Sequence, residues 1–389
     1  MSERKGVLRC CATLAFLLSA LLPIGANAQR AELEKIIQRK VLANGLEVIV
    51  VENHGVQLAT VEIDVKNGSF TQSPQYEGLA HMYEHMFFKA NSNYPDLNQF
   101  WDRASELGGI FNGTTEEERV NYFMTVPTEN VGNAIQLLAS AIEHPLFRQD
   151  ELERERQVVI GEYDEKESSP FFALDQQMKA KLYPGNFSRK NPMGDRQIVA
   201  TTTPEKMRTI QRKYYVPNNS ALIVAGDVNP AAVFALAERE LGQWPRGADP
   251  FLADPIPPIP PLQKSEGILV EAPVSAVSIQ VQWQGPSVGQ DPKSTYAADV
   301  FSDVLNDPRS QFQQRLVDSG LWQSVGVNYY TLNHTGPITI SGQTSPEQLP
   351  AAMTALYGEI AQVDKPGDFT YDELQAVKAP LAVTSAFGR

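Results

Sequence analysis

The chain reads as an α+β protein of two successive domains, each a sheet packed with helices. Three observations carry that reading. Its 389 residues are too many for one ordinary domain and too few for three. Strand-like and helix-like stretches run in the order strands, helix, strands, helix in both halves, which suggests two homologous domains. Between the halves, residues 249–263 (DPFLADPIPPIPPLQ) carry six prolines, a density that no packed element survives. This segment reads as a stiff linker between domains at 29–248 and 264–389.

Composition narrows the classes. Apolar residues are 42% and charged residues 20%, enough for real cores and unlike disordered, collagenous or coiled-coil chains. Lys and Arg total 33 against 46 Asp and Glu, a net charge of −13. That sign disfavours nucleic acid or an anionic membrane face as partner. The acidity is spread along the chain and reads as solubility.

The first 28 residues form a targeting pattern. Arg4, Lys5 and Arg9 precede an apolar run, Ala12 to Leu22, and Ala26-Asn27-Ala28 follows as a small-x-small cleavage site. The run is short for a membrane span, and no other stretch approaches about 18 apolar residues. A secretory signal peptide at 1–28, and an exported, periplasmic or extracellular mature protein, are therefore expected. Both cysteines, Cys10 and Cys11, lie inside the signal, so the mature chain has neither disulfides nor thiol chemistry. Cleavage also removes Arg4, Lys5, Arg9 and Glu3, leaving 30 basic against 45 acidic residues.

The first domain opens with a hairpin at 41–52, turned by Asn44-Gly45, and a strand at 56–65. Helices follow at 77–89 and 96–107, the second ended by Gly108-Gly109. Residues 121–126 read as a strand and 131–142 as an amphipathic helix. Asp150 is placed to cap a long charged helix reaching Lys166. Thr203-Pro204-Glu205 opens a further helix with Pro at its first position. Residues 220–225 (SALIVA) are a buried-type strand, and 230–241 are helical. In the second domain, 267–272, 278–283 and 338–342 read as strands, with helices at 294–305, 345–363 and from Thr370. The chain stops at Arg389 inside a helical pattern without a capping signal, so the second domain is expected to be incomplete.

The chemistry concentrates at Gly78-Leu79-Ala80-His81-Met82-Tyr83-Glu84-His85-Met86-Phe87-Phe88. On a helix of about 100° per residue, His81, Glu84 and His85 share one arc roughly 100° wide, and Leu79, Met82, Tyr83 and Met86 fall opposite. Two His at i and i+4 make a natural bidentate site for Zn²⁺, and the adjacent carboxylate can take a proton from a water that such an ion activates. With five His in the chain, H-x-x-E-H arises by chance only about once in a few hundred such sequences. Zinc needs a third protein ligand and leaves its fourth position open. Without cysteine, that ligand is an Asp, a Glu or a third His. His54, His144 and His334 lack partners at ligand spacing and read as surface or loop residues.

His81-x-x-Glu84-His85 is the inverted zinc signature, and its surroundings, GLAHMYEHMFFKANSNYP, resemble the pitrilysin/insulinase family, which includes the mitochondrial processing peptidases. The resemblance implies one Zn²⁺ per chain, with a glutamate about 75–80 residues downstream completing the site. Glu162 lies 77 residues after His85 and becomes the implied third ligand. Glu155, seven residues earlier on the same helix face, matches the family's second acid and would orient the site. Gly108 to Thr115 (GGIFNGTT) resembles the family's G-G-x-x-N-A-x-T stretch, with Gly for the usual Ala. In relatives this is an edge strand that pairs with an extended substrate, so Asn112, Gly113, Thr114 and Thr115 are the implied substrate-binding residues. The family fold is half of a clamshell.

One departure bears on activity. Relatives that act alone carry an Arg/Tyr pair in the second half that binds and polarises the scissile amide. In the corresponding segment, Ser310 to Gln323, Val317 and Gln323 hold those positions. Arg315 and Trp322 keep the seven-residue spacing in another register, but an indole only donates. The resemblance thus implies a zinc endopeptidase for short or unfolded peptides, with Glu84 as general base, working as a homo- or heterodimer with an Arg/Tyr-bearing subunit. The competing expectation is a zinc-binding subunit that only scaffolds.

Overall fold

The computed structural model describes residues 35–96, 98–363, 365 and 369–378. The signal-peptide segment and the end at Arg389 lie outside these residues. The chain divides into two compact units, Met1–Ile160 with Pro192–Pro255, and Gly161–Asn191 with Ile256–Arg389.

In the first unit, hydrophobic alternation builds a six-stranded sheet. β1 (Ile37–Val41) and β2 (Glu47–Glu52) form the hairpin, turned where Gly45 takes φ +94°. β3 (Leu58–Val65), β4 (Ile110–Thr115), β5 (Val120–Pro127) and β6 (Ser220–Gly226) complete the order β1-β2-β6-β3-β5-β4. The β2–β6 pairing is parallel and the rest are antiparallel, so β4 is an edge strand bonded to β5 alone. Val48, Val50, Val61, Ile63, Tyr122, Met124, Val126, Leu222 and Val224 point into one core. The helices covering them are α1 (Leu79–Phe87), α2 (Gln99–Glu106), α3 (Val131–Glu143), the first part of α4 (Gln149–Glu167), α6 (Arg196–Ala200), α7 (Pro204–Tyr214) and α8 (Pro230–Leu241). Thr203 caps α7 through Lys206 N–H, with Pro204 at its first position. Asp150 lies inside the first turn of α4 instead of capping it, and accepts from Arg154 at 3.0 Å.

The second unit holds α5 (Phe172–Leu182), which follows α4. In the first unit a short α9 (Pro250–Ala253) lies inside the segment 249–263 expected to carry no packed element: Asp249 caps it by accepting from the N–H groups of Phe251 and Leu252, and Pro250 sits at its first position, where proline is tolerated. Residues 254–276 carry no helix or strand, so the strand expected at 267–272 is absent. Its apolar run Ile268-Leu269-Val270 suits a strand, but no strand among the described residues pairs with it, and Leu269 is left 87% exposed. The unit's sheet is β7 (Val277–Gln284), β9 (Pro337–Thr344) and β8 (Ser324–Tyr329), antiparallel in that spatial order. It packs against α10 (Pro292–Asn306), α11 (Gln311–Gln313) with a π-turn over Gln314–Asp318, and α12 (Leu349–Ile360), around Leu305, Phe312, Leu316, Trp322, Ile340 and Leu356. The segment after α5 is locked by Lys190, 1% exposed, whose Nζ donates to the carbonyls of His334 and Thr335 at 2.9 Å each. No helix of the described residues is long and apolar enough to cross a membrane.

Glu143, at the C-terminal end of α3, gives the first unit a pH dependence. Burial, and then the charge of Glu240, push its carboxyl up to about 7. The folded chain holds a proton there that the unfolded chain releases in the ordinary carboxylate range. The resulting stabilisation is complete below that range and is lost as pH rises through about 7. Glu143→Gln should leave the denaturation midpoint unchanged at pH 4 and raise stability at pH 8 by about 1 kcal/mol, after discounting for partial exposure. Chemical denaturation at the two pH values checks this.

Candidate functional site

Helix α1 is built to present one polar arc. Leu79, Ala80, Met82, Tyr83, Met86 and Phe87 are buried, whereas His81, Glu84 and His85 are half-buried. Underneath, the Tyr83 ring stacks on Tyr215 at 3.8 Å and the Phe87 ring on Tyr122 at 3.6 Å. The helix starts at Gly78, where φ is +83° and an added Cβ would lie 2.8 Å from the Met193 carbonyl oxygen, so the position demands glycine. The buried Gln72 Oε1 accepts from the N–H groups of Gly78, at 2.9 Å, and Ala80, at 3.4 Å, satisfying donors at the helix start.

His81 and His85 stand edge to face, with ring centroids 4.8 Å apart. The long helix α4 brings two carboxylates to this arc. Glu162 joins the imidazoles: one ligand atom from each of His81, His85 and Glu162 lies within 4.8 Å of the others. Ligands about 2.0–2.1 Å from a tetrahedral Zn²⁺ lie about 3.3 Å apart, so this cluster fits the ion after small side-chain rotations. Two turns earlier, Glu155 Oε2 accepts from His85 Nδ1–H at 3.3 Å, and Oε1 pairs with Lys89 Nζ at 2.7 Å. Burial pushes the Glu155 carboxyl up. The hydrogen bonds from His85 and Lys89 and the charge of Lys89 outweigh it and hold the carboxyl below the ordinary range. A carboxylate on Nδ1–H fixes the tautomer of His85 with its lone pair on Nε2, the form a metal needs.

Strand β4 supplies the opposite wall. Thr115 Oγ1 donates to Glu84 Oε2 at 2.6 Å. At Gly113 an added Cβ would lie 3.0 Å from Glu84 Cγ and 3.2 Å from a Phe88 ring carbon, so glycine lets the strand close on the helix. On the opposite face of β4, Thr114 Oγ1 donates to Asn121 Oδ1, and Asn121 donates to Glu62. Asn112 Oδ1 accepts the Gly113 N–H at 2.9 Å. Of the residues read from sequence, His81, His85 and Glu162 come together, Glu155 stands behind His85, Glu84 lies on Thr115, and Asn112 to Thr115 lie on the edge strand. Lys89 and Gln72 were not anticipated. Lys89 follows His85 by four residues, so helical spacing alone could have found it, whereas nothing in the sequence marks Gln72.

In the segment Ser310 to Gln323, Arg315 pairs with Glu359 at 3.2 Å and with Gln311. Trp322 is 2% exposed in the second core and donates its indole N–H to the Ala352 carbonyl at 3.2 Å. Val317 packs against the same core, and the Gln323 backbone N–H bonds the Gln343 carbonyl at 2.8 Å.

Residues 47–194 match the insulinase domain of peptidase family M16, and residues 201–381 match the peptidase M16 inactive domain. The chain belongs to the insulinase family, peptidase family M16. Among M16 proteins it is 25% identical over 350 residues to the uncharacterized zinc protease YmxG of Bacillus subtilis (strain 168), covering 89% of this chain and 83% of YmxG. It shares its fold with a protease from Helicobacter pylori, at TM-score 0.78 and 24% identity, covering 89% of this chain and 84% of that one. It also matches the periplasmic protease PqqL from Escherichia coli, at TM-score 0.70 and 18% identity, covering 90% of this chain but 39% of PqqL. The M16 chain described here is thus half-like, spanning less than half of that longer protease.

If Glu155 orients His85, then Glu155→Gln should weaken Zn²⁺ binding by about 10–100-fold, measured by competition with a chromophoric chelator. An unchanged affinity would remove that role from Glu155.

Proposed function

We propose that this M16 chain is a zinc-dependent endopeptidase subunit that hydrolyses short or unfolded peptides, with His81, His85 and Glu162 holding one Zn²⁺. The observation that carries the proposal is the convergence of these three ligand atoms within 4.8 Å, on the same helical arc as a carboxylate anchored by the edge strand. A bound Zn²⁺ would supply a Lewis acid that polarises the peptide carbonyl and brings the pKa of water towards about 7. Glu84 accepts the proton of the attacking water and delivers it to the leaving amine nitrogen. Thr115 Oγ1 donates to Glu84 Oε2 at 2.6 Å, which holds the carboxylate against the edge strand. The substrate backbone adds to the free edge of β4 along Asn112 to Thr115, which requires an extended segment and so favours short or unfolded chains.

The second half supports dependence on a partner. Arg315 is engaged by Glu359 and Trp322 is interior, so neither serves as the Arg/Tyr pair that the resemblance implies. We place that pair on a related subunit in a homo- or heterodimer. The signal-like pattern of residues 1–28 supports export, periplasmic in a bacterium. A second reading, a zinc-binding subunit that only scaffolds, is favoured by the match of residues 201–381 to a domain described as inactive.

The test uses the chain with and without the product of its genomic neighbour on a quenched peptide. Turnover should require the pair and vanish with chelator. Glu84→Gln should retain one Zn²⁺ per chain while kcat falls about 10²–10⁴-fold. Parent-level cleavage by that variant would overturn the base assignment. One Zn²⁺ per chain with no turnover in any combination would decide for the scaffold.

A further inference from the structure

We propose that Trp101 and Phe111 form an aromatic ledge that selects a large apolar or aromatic side chain of the substrate, two or three residues from the bond cleaved and on one side of it only. This rests on the strand-addition reading above, and it goes beyond that reading by assigning a residue preference.

The register of β4 sets the geometry. Phe111, Gly113 and Thr115 lie opposite Met124, Tyr122 and Val120, so their side-chain positions share one face of the strand. That face is the one toward α1: Thr115 bonds Glu84, Gly113 closes on Glu84 and Phe88, and the Phe111 ring lies 5.2 Å from the Phe88 ring. Gly113 is therefore a notch beside Glu84, and Phe111 lies about 7 Å further along the same face. A peptide added to β4 with one residue at the notch would place the residue two positions along beside Phe111.

Phe111 does not stand there alone. Its ring packs edge-on against Phe100 at 5.3 Å, and α2 lays the Trp101 indole edge-on against it at 4.8 Å and 71°. Phe100 is buried, which fixes the floor, whereas Trp101 is 48% exposed over an edge strand. A single exposed indole needs no explanation. Here the indole continues a ring cluster that runs back through Phe88 to the Gly113 notch, and its free face can cover a ring or branched chain seated on Phe111. The surfaces the ledge offers are the Trp101 and Phe111 rings, on which a ring or branched apolar side chain packs better than an acidic or basic one.

The experiment uses two quenched peptides that differ only by Phe or Ala at the position two residues from the notch residue, found by scanning Phe through the sequence and locating the cut by mass spectrometry. The parent chain with its partner subunit should prefer the Phe peptide by about 10-fold or more in kcat/KM. Trp101→Ala should reduce that preference below about twofold, and Trp101→Phe should keep most of it. Equilibrium binding of the same peptides, labelled and with chelator present, repeats the comparison without turnover. A Phe preference that survives Trp101→Ala, or no Phe preference in the parent in either assay, overturns the ledge. A preference lost in Trp101→Ala by binding, in a chain that cleaves nothing, retains the ledge and overturns the hydrolase reading.

Discussion

The site depends on the contact between His85 and Glu155. It docks α4 on α1, fixes which imidazole nitrogen carries the proton, and sets the helix register at one point. Seven residues on a helix rise about 10.5 Å and turn almost a whole number of times, so Glu162 follows on the same face once Glu155 is placed. The carboxylate of Glu155 is largely withdrawn from water, and that desolvation is offset by a donor on each oxygen, His85 on one and Lys89 on the other. Loss of either donor would leave part of a buried charge uncompensated. Glu155 and Lys89, which touch no substrate in the proposed scheme, thereby set where His85, a proposed metal ligand, points.

The second constraint is closeness. The proposed role of Glu84 as general base requires its carboxylate to be held in place, and β4 holds it by a hydroxyl from Thr115 and by a missing side chain at Gly113. The rigidity behind that wall is aromatic. Phe87 on Tyr122 ties α1 to β5 and Tyr83 on Tyr215 ties it to the end of α7, and the two tyrosine hydroxyls, Tyr122 and Tyr215, bond each other at 2.8 Å. At Gly113 a methyl group would meet Glu84 at a distance that forces one of them to move.

What the sequence made legible follows from where a single local rule was sufficient. The polar arc of α1 was readable because a 3.6-residue period separates His81, Glu84 and His85 from a packing face. The hairpin around Gly45 and the start of α7 were readable from turn and cap chemistry. The reading at 267–272 failed because a short apolar run describes only one strand, and a strand exists through its partner. Helix α5 went unread because FALDQQMKAKL spreads its apolar residues around the axis, and of these Leu182 is buried. Glu155 and Glu162 were singled out by resemblance, because six acids crowd residues 151–166 and periodicity alone does not choose between them.

The segment from Ser310 to Gln323 shows the limit of spacing as evidence. Arg315 and Trp322 preserve a seven-residue interval, but in an α-helix that interval means a shared face, and here the helix gives way to a π-turn over Gln314–Asp318. The two side chains then serve different ends. Arg315 neutralises Glu359 and bonds Gln311 at the surface, while Trp322 fills the core and satisfies the Ala352 carbonyl. Turning Trp322 outward would empty a buried aromatic volume, at a cost of about 3–5 kcal/mol on the scale of aromatic truncations, and would strand that carbonyl. Such a cost is a large fraction of a domain's stability, so the arrangement is fixed in folding and not available to catalysis. If the chain is the hydrolase proposed above, a group that polarises the scissile amide comes from outside this segment, which is consistent with the proposed second subunit.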